Sequence, residues 1–270
     1  MRQLRFSVAA YLMLAPALSW GVPAAGEDVS LPSSSAEATP ASADRAQCLN
    51  ETRAFSSEIA INACSRLLES PDESRGAVAI AYIKRGNAYH KKGELQLAIA
   101  DYSKAIDSDP KNVSAYTGRG GAYGQIGKYD QAIADFSRAI ELQPNLAKAF
   151  NNRGTAHVLN GNIDQGIADY SKAIELQPNF AEAYNNRANT YAKYDARRAI
   201  ADYTKAISLD PEYWEAYYNR GIVWDANGEH DLAMADYTKA FALAPKNPRP
   251  YNGRANTRRP ESQHDLAVAN

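Results

Sequence analysis

The side chains able to do chemistry in this sequence are either scattered singly or repeated too often to form one site. Four histidines (His90, His157, His230 and His264) stand far apart, with no partner at metal-ligand spacing. The two cysteines, Cys48 and Cys64, offer a disulfide or else a redox or metal pair. The lack of a C-x-x-C spacing and of a nearby histidine argues against the last two. There is no glycine-rich phosphate loop and no nucleophile elbow. No catalytic residue, metal ligand or cofactor is assigned, and no enzymatic activity is expected.

What recurs is polar and regular. Arginine stands at Arg85, Arg119, Arg153, Arg187, Arg220 and Arg254, and aspartate at Asp101, Asp135, Asp169, Asp202 and Asp236. The planar fork of arginine fits a carboxylate through two parallel hydrogen bonds, so Arg–Asp pairing within or between consecutive segments is expected. The alternative is a basic stripe for anionic ligands, which the matching aspartates disfavour. An exposed pair of this kind contributes only about 0–1 kcal/mol. A third series is Asn152, Asn186 and Asn219. A carboxamide carries donors and an acceptor, so it can pair with both groups of a peptide unit without demanding a particular side chain. The plainer reading is that asparagine suits a solvated helix face.

These series share one beat. The segment AKAFNNRGTAHVLNGNIDQGIADYSKAIELQP, Ala147 to Pro178, falls on itself when shifted by 34 residues. Proline closes the units at Pro110, Pro144, Pro178, Pro211 and Pro245, and a turn glycine splits them at Gly93, Gly127, Gly161 and Gly228. Each half has helical periodicity, so every unit is a helix–turn–helix. Slots are numbered from Ala79, Val113, Ala147, Ala181, Trp214 and Pro248. Slot 4 is then aromatic (Tyr82, Tyr116, Phe150, Tyr184, Tyr217, Tyr251), slot 8 is Gly or Ala, and slot 24 is Tyr or Phe (Tyr102, Phe136, Tyr170, Tyr203, Tyr237). Slot 20 is Ala or Gly and slot 27 is alanine throughout. Small residues let paired helices approach, and aromatic rings fill the space between neighbours. At Lys193-Tyr194 one residue and the turn glycine are missing, which predicts a tighter or irregular turn.

This pattern resembles the tetratricopeptide repeat family over about Ile80 to Tyr251. The resemblance implies an all-α fold, a right-handed superhelical solenoid of helix–turn–helix repeats that bind protein or peptide partners. In that family the first helix of each repeat lines a concave face. The implied partner-binding residues are Asn152, Asn186 and Asn219 in slot 6, with Asn185, Asn189, Lys148 and Tyr218 on the same wall. The resemblance also places Cys48 in slot 8 and Cys64 in slot 24 of a degenerate first repeat. Those slots face each other across the two helices, so a Cys48–Cys64 disulfide is implied for an exported chain. Closing a loop of about 15 residues is worth roughly 3 kcal/mol in the chain-entropy model.

The rest of the chain sets the context. Arg2 and Arg5 precede an apolar run from Phe6 to Val22 and small residues near Ala24, a secretory signal over residues 1–26. A membrane anchor is the alternative, disfavoured by the short run and by Pro16. Residues 27–44, rich in Ser, Ala and Pro, are expected to be a disordered leader. The stapled first repeat is expected over 45–72, five full repeats over 73–246, and a truncated sixth over 247–270. Its open edge offers a second mode of association, an assembly or homo-oligomer through the C-terminal end. With 270 residues and a net charge of −1, the chain has no basic footprint for nucleic acid. Twelve of its 17 tyrosines fall in slots 4, 11 and 24, so the aromatic richness is packing. A periplasmic or secreted protein is expected.

Overall fold

The structure, a computed structural model, describes residues 40–49, 56–71 and 73–257. Residues 1–39, which include the stretch expected to be a signal, and residues 258–270 lie outside these. The described residues form thirteen α-helices and no strand: α1 Pro40–Leu49, α2 Ser57–Glu69, α3 Arg75–Lys92, α4 Leu95–Ser108, α5 Val113–Gln125, α6 Tyr129–Leu142, α7 Ala147–Leu159, α8 Ile163–Leu176, α9 Ala181–Tyr191, α10 Ala196–Leu209, α11 Trp214–Ala226, α12 His230–Leu243 and α13 Pro248–Thr257. The chain is an all-α repeat solenoid, with α1–α7 in one compact unit and α8–α13 in another. No helix among the described residues is long and apolar enough to cross a membrane.

The repeat chemistry explains the hairpins. Slot 20 and slot 27 alanines such as Ala98, Ala105, Ala199 and Ala206 are fully buried, as are the slot-24 rings of Tyr102, Phe136 and Tyr203. A Cβ at Gly86 would lie 3.0 Å from the Tyr102 ring, and one at Gly221 would lie 2.8 Å from that of Tyr237. Slot 8 is therefore small because the ring of its own repeat presses on it.

The turns show two solutions to the same problem. Gly93, Gly127, Gly161 and Gly228 take φ of 75 to 87°, a left-handed cap that favours glycine. After Gly93 the amide of Glu94 reaches back to the Tyr89 carbonyl at 2.9 Å, and Lys128 does the same to Tyr123. Between α9 and α10 there is no glycine and no positive φ. There the Asp195 amide bonds the Tyr191 carbonyl at 2.7 Å, and the Asp195 side chain caps α10 by accepting from the Arg198 amide at 3.0 Å. The second helices α4, α6 and α12 carry no such side-chain cap.

One boundary differs in detail from the sequence reading. Helix α1 starts at Pro40, inside the stretch expected to be a leader. Proline suits the first turn of a helix, and Asp44 is held by Arg66 of α2, with one of its two hydrogen bonds at 2.8 Å. The α3 helix begins at Arg75, where the Ser74 side chain caps it by accepting from the Ala77 amide at 3.2 Å.

Candidate partner-binding site

Slot 7 and slot 23 form the frame on which the first helices are mounted. The Arg85 guanidinium donates to both Asp101 oxygens at 2.7 and 2.8 Å, and Arg119 to both Asp135 oxygens at 2.8 and 2.7 Å. In the other unit Arg187 clasps Asp202 and Arg220 clasps Asp236 in the same way, with all four bonds between 2.7 and 2.9 Å. The aspartates are buried. A third arm of each arginine crosses to the preceding repeat, where the slot-25 hydroxyl accepts: Ser65 from Arg85 at 2.9 Å, Ser103 from Arg119 at 3.0 Å, Ser171 from Arg187 at 2.9 Å and Thr204 from Arg220 at 2.8 Å. Ser103, Ser171 and Thr204 donate in turn to carbonyls of their own helices. The arginine planes also lie near the slot-4 and slot-11 rings; Arg119 is 5.9 Å from both Tyr116 and Tyr123.

Electrostatics follow from this clasp. The bond to the aspartate raises the Arg85, Arg119 and Arg187 guanidinium pKa values, with burial opposing. Burial pushes the Asp135 carboxyl up despite the pull of Arg119. The arginines are thus committed to fixing hairpins and joining neighbours, and they do not form a free basic stripe.

One step round the first helix, the asparagines make a second set of contacts. In slot 9, Asn87 accepts from the Tyr102 hydroxyl at 2.7 Å, and Asn189 accepts from the Tyr203 hydroxyl at 2.6 Å. The Asn219 amide then donates to the same Asn189 oxygen at 3.0 Å, linking α11 to α9. Burial raises the Tyr102 and Tyr203 pKa values, so both phenols stay protonated donors.

The expected wall residues do not all share one environment. Asn152, Asn186 and Asn219 are half-buried with part of their surface open, Asn189 is also half-buried, and Lys148 is exposed. Asn152 accepts from the Asn151 amide at 3.4 Å. Two residues expected on the wall are instead interior: Asn185 is 4% exposed and Tyr218 is 8% exposed. Slot 5 lies one residue from slot 6, about 100° round the helix, and that turn points it into the packed interface. Tyr218 packs on Tyr237 with ring centroids 5.8 Å apart. Cys48 and Cys64 are joined by a disulfide, with Cα atoms 4.8 Å apart. The slot-25 hydroxyls and slot-24 phenols were missed as polar partners; their recurrence with the Arg and Asn series was the available signal. Among the described residues no cluster of His, Cys, Asp or Glu could hold a metal ion.

Hairpins pinned by a repeated Arg–Asp–Ser/Thr clasp define a helical repeat protein. Family models described as tetratricopeptide repeat match residues 113–146 and 147–180, 191–248 and 170–196, and one described as TPR repeat matches 86–127. The chain belongs to the tetratricopeptide repeat family. Comparison with curated protein sequences finds no match. Among solved structures, a tetratricopeptide repeat protein from Parabacteroides merdae is 20% identical, with a TM-score of 0.65 over 79% of this chain and 83% of that one. The MamA protein is 28% identical, with a TM-score of 0.53 over 63% and 94%. YrrB, described as a TPR protein with an unusual peptide-binding site, is 24% identical, with a TM-score of 0.53 over 72% and 99%.

Proposed function

We propose that this protein is an exported, non-catalytic scaffold that holds an extended segment of a partner protein against its first-helix face. The slot-6 asparagines meet the segment's backbone. The observation that carries this reading is Asn219. One amide hydrogen is anchored on Asn189 at 3.0 Å, which fixes the side chain while its surface stays partly open. An oriented carboxamide loses little further freedom on binding, so it favours a backbone ligand. Tetratricopeptide repeats in general form a protein-interaction fold, in keeping with a scaffold that has no chemistry of its own. Export rests on the basic and apolar start of the chain, and the Cys48–Cys64 disulfide suits an oxidising compartment. In a double-membraned bacterium that compartment is the periplasm.

The test replaces Asn152, Asn186 and Asn219 together with alanine and compares partners crosslinked in the native compartment. Loss of a partner from protein that stays folded, with no more than the small fall in denaturation midpoint that losing the Asn219–Asn189 bond entails, is expected, and full retention would remove the ladder from consideration. A second reading is self-assembly through the C-terminal end. It is favoured by Tyr251, 59% exposed on α13, whereas its slot-4 counterparts are covered to a greater degree. Light scattering separates the two, because a mass that does not rise with concentration counts against assembly.

A further inference from the structure

The first residue of each second helix is large in four full repeats: Leu95, Tyr129, Ile163 and His230. In the repeat with the shortened turn that residue is Ala196. Leu95 shows what the larger side chain does, packing against the cluster of Ala98, Tyr102 and Ala122. The residues matching Tyr102 and Ala122 around Ala196 are Tyr203 and Val223. Here they line a pocket of about 110 Å³ together with Ala192, Ala196, Ile222 and Ala226. The truncated side chain thus leaves room in a packing site that the first full repeat fills with leucine. Asn219 also lines this pocket. Tyr194, in the same turn, is 71% exposed, the most open of the large apolar side chains described.

We propose that this pocket takes one aliphatic side chain, of leucine, isoleucine or methionine size, from the extended partner segment. This rests on the first-helix reading above. The chemistry of the occupant is set by the site. Its walls are mainly apolar, and it is smaller than the ~150 Å³ apolar cavity known to admit benzene, so an indole does not fit. It is continuous with Asn219, whose carboxamide meets the backbone beside the inserted side chain. The glycine-less turn thereby acquires a purpose: it removes a side chain from the fold and lets the partner supply one.

The experiment titrates the ¹⁵N-labelled protein with acetyl-Gly-Leu-Gly-amide and with its alanine and lysine counterparts. Each buried methylene is worth about a four-fold change in affinity. The leucine tripeptide is expected to give saturable shifts at Ala192, Ala196, Asn219 and Ile222, and to bind at least ten-fold more tightly than the alanine tripeptide. Ala196→Leu rebuilds the missing side chain and is expected to weaken the leucine tripeptide at least ten-fold. Ala226→Leu fills the pocket from the opposite wall and gives the same result independently. Equal shifts from the leucine and alanine tripeptides would overturn the proposal. So would folded Ala226→Leu protein that binds the leucine tripeptide as before. The Asn152→Ala/Asn186→Ala variant touches neither pocket wall. Unchanged partner recovery with it defeats the backbone ladder, whereas loss of leucine discrimination defeats the pocket.

Discussion

Two hydrogen-bonded nodes, one in each compact unit, start from the same design and end differently. In the first, Asn87 receives the Tyr102 hydroxyl, and the Tyr102 ring presses on slot 6 of the next first helix, where a Cβ at Gly118 would lie 2.6 Å away. In the second, Asn189 receives the Tyr203 hydroxyl, but slot 6 is Asn219, which joins the node with its own amide. Slot 6 is thus closed by packing in one place and open as a presented carboxamide in the other. Gly253, at slot 6 of α13, returns to the closed form, with a Cβ position 2.8 Å from Tyr237. Meanwhile the Arg–Asp–Ser/Thr clasp next door is the same in both units. The comparison separates what every repeat needs to stand from what a particular repeat can offer to a partner.

The clasp gives the largest expected effect. Arg119→Ala and Arg187→Ala each leave a buried carboxylate without its partner, and each should lower stability by about 3–5 kcal/mol in urea denaturation. The two losses should be alike, because the clasp is the shared frame; a cost under about 1 kcal/mol at one site would break that symmetry. Lysine should rescue either site only in part, since it lacks the bidentate fork. Next in size is Gly118→Asn, which imposes the open form of slot 6 on the closed node. The added side chain meets the buried Tyr102 ring, and a loss of about 1–3 kcal/mol is expected from overpacking. A neutral result at Gly118 would mean that the ring yields, so that slot 6 is not set by packing.

How far these features could be read beforehand depends on their periodicity. The hairpins were legible because two helical patterns, a turn glycine and a closing proline repeat with the same beat. The Arg–Asp pairing was legible for the same reason, Arg119 and Asp135 recurring as Arg220 and Asp236. The hydroxyl arm was not, because Ser103 looks like an ordinary residue on a solvated helix until Arg119 reaches it from the next repeat. The wall was read one residue too broadly. Asn185 and Asn186 are adjacent in sequence but about 100° apart round α9, and only packing against neighbours decides which is covered. The missing turn glycine was visible at Lys193-Tyr194, yet the consequence lies at Ala196, whose small size matters only beside Tyr203 and Val223. The start of α1 was obscured by composition. Serine, alanine and proline read as an unstructured leader, whereas Asp44 gains an arginine partner only once α2 is in place.

The nodes themselves respond to smaller changes. Asn87→Ala and Asn189→Ala each leave a buried tyrosine hydroxyl without its acceptor, at a cost of about 1–3 kcal/mol. The loss at Asn189 should be the greater, because Asn219 also uses that oxygen. Equal losses in thermal or urea denaturation would mean that the Asn219 arm adds nothing to stability.

The smallest effect distinguishes the units by pH. At slot 12 the first unit places His90, and the second places Asp225, which meets His230 at 2.8 Å. The Nε2 atom of His90 is buried without a hydrogen-bond partner, and burial lowers the pKa of the ring below its usual value. In the unfolded chain the imidazole takes up a proton as pH falls through about 6.5, whereas the folded chain resists it. The unfolded state then binds more protons, so the contribution of His90 is intact above about pH 6.5 and is lost progressively below it. Urea midpoints at pH 7.5, 6.5 and 5.5 should fall with pH in the parent protein. His90→Val, which copies the residue at Val158 in the same slot, should flatten that slope. Parallel slopes for the two proteins would show that the acid response arises elsewhere than at His90.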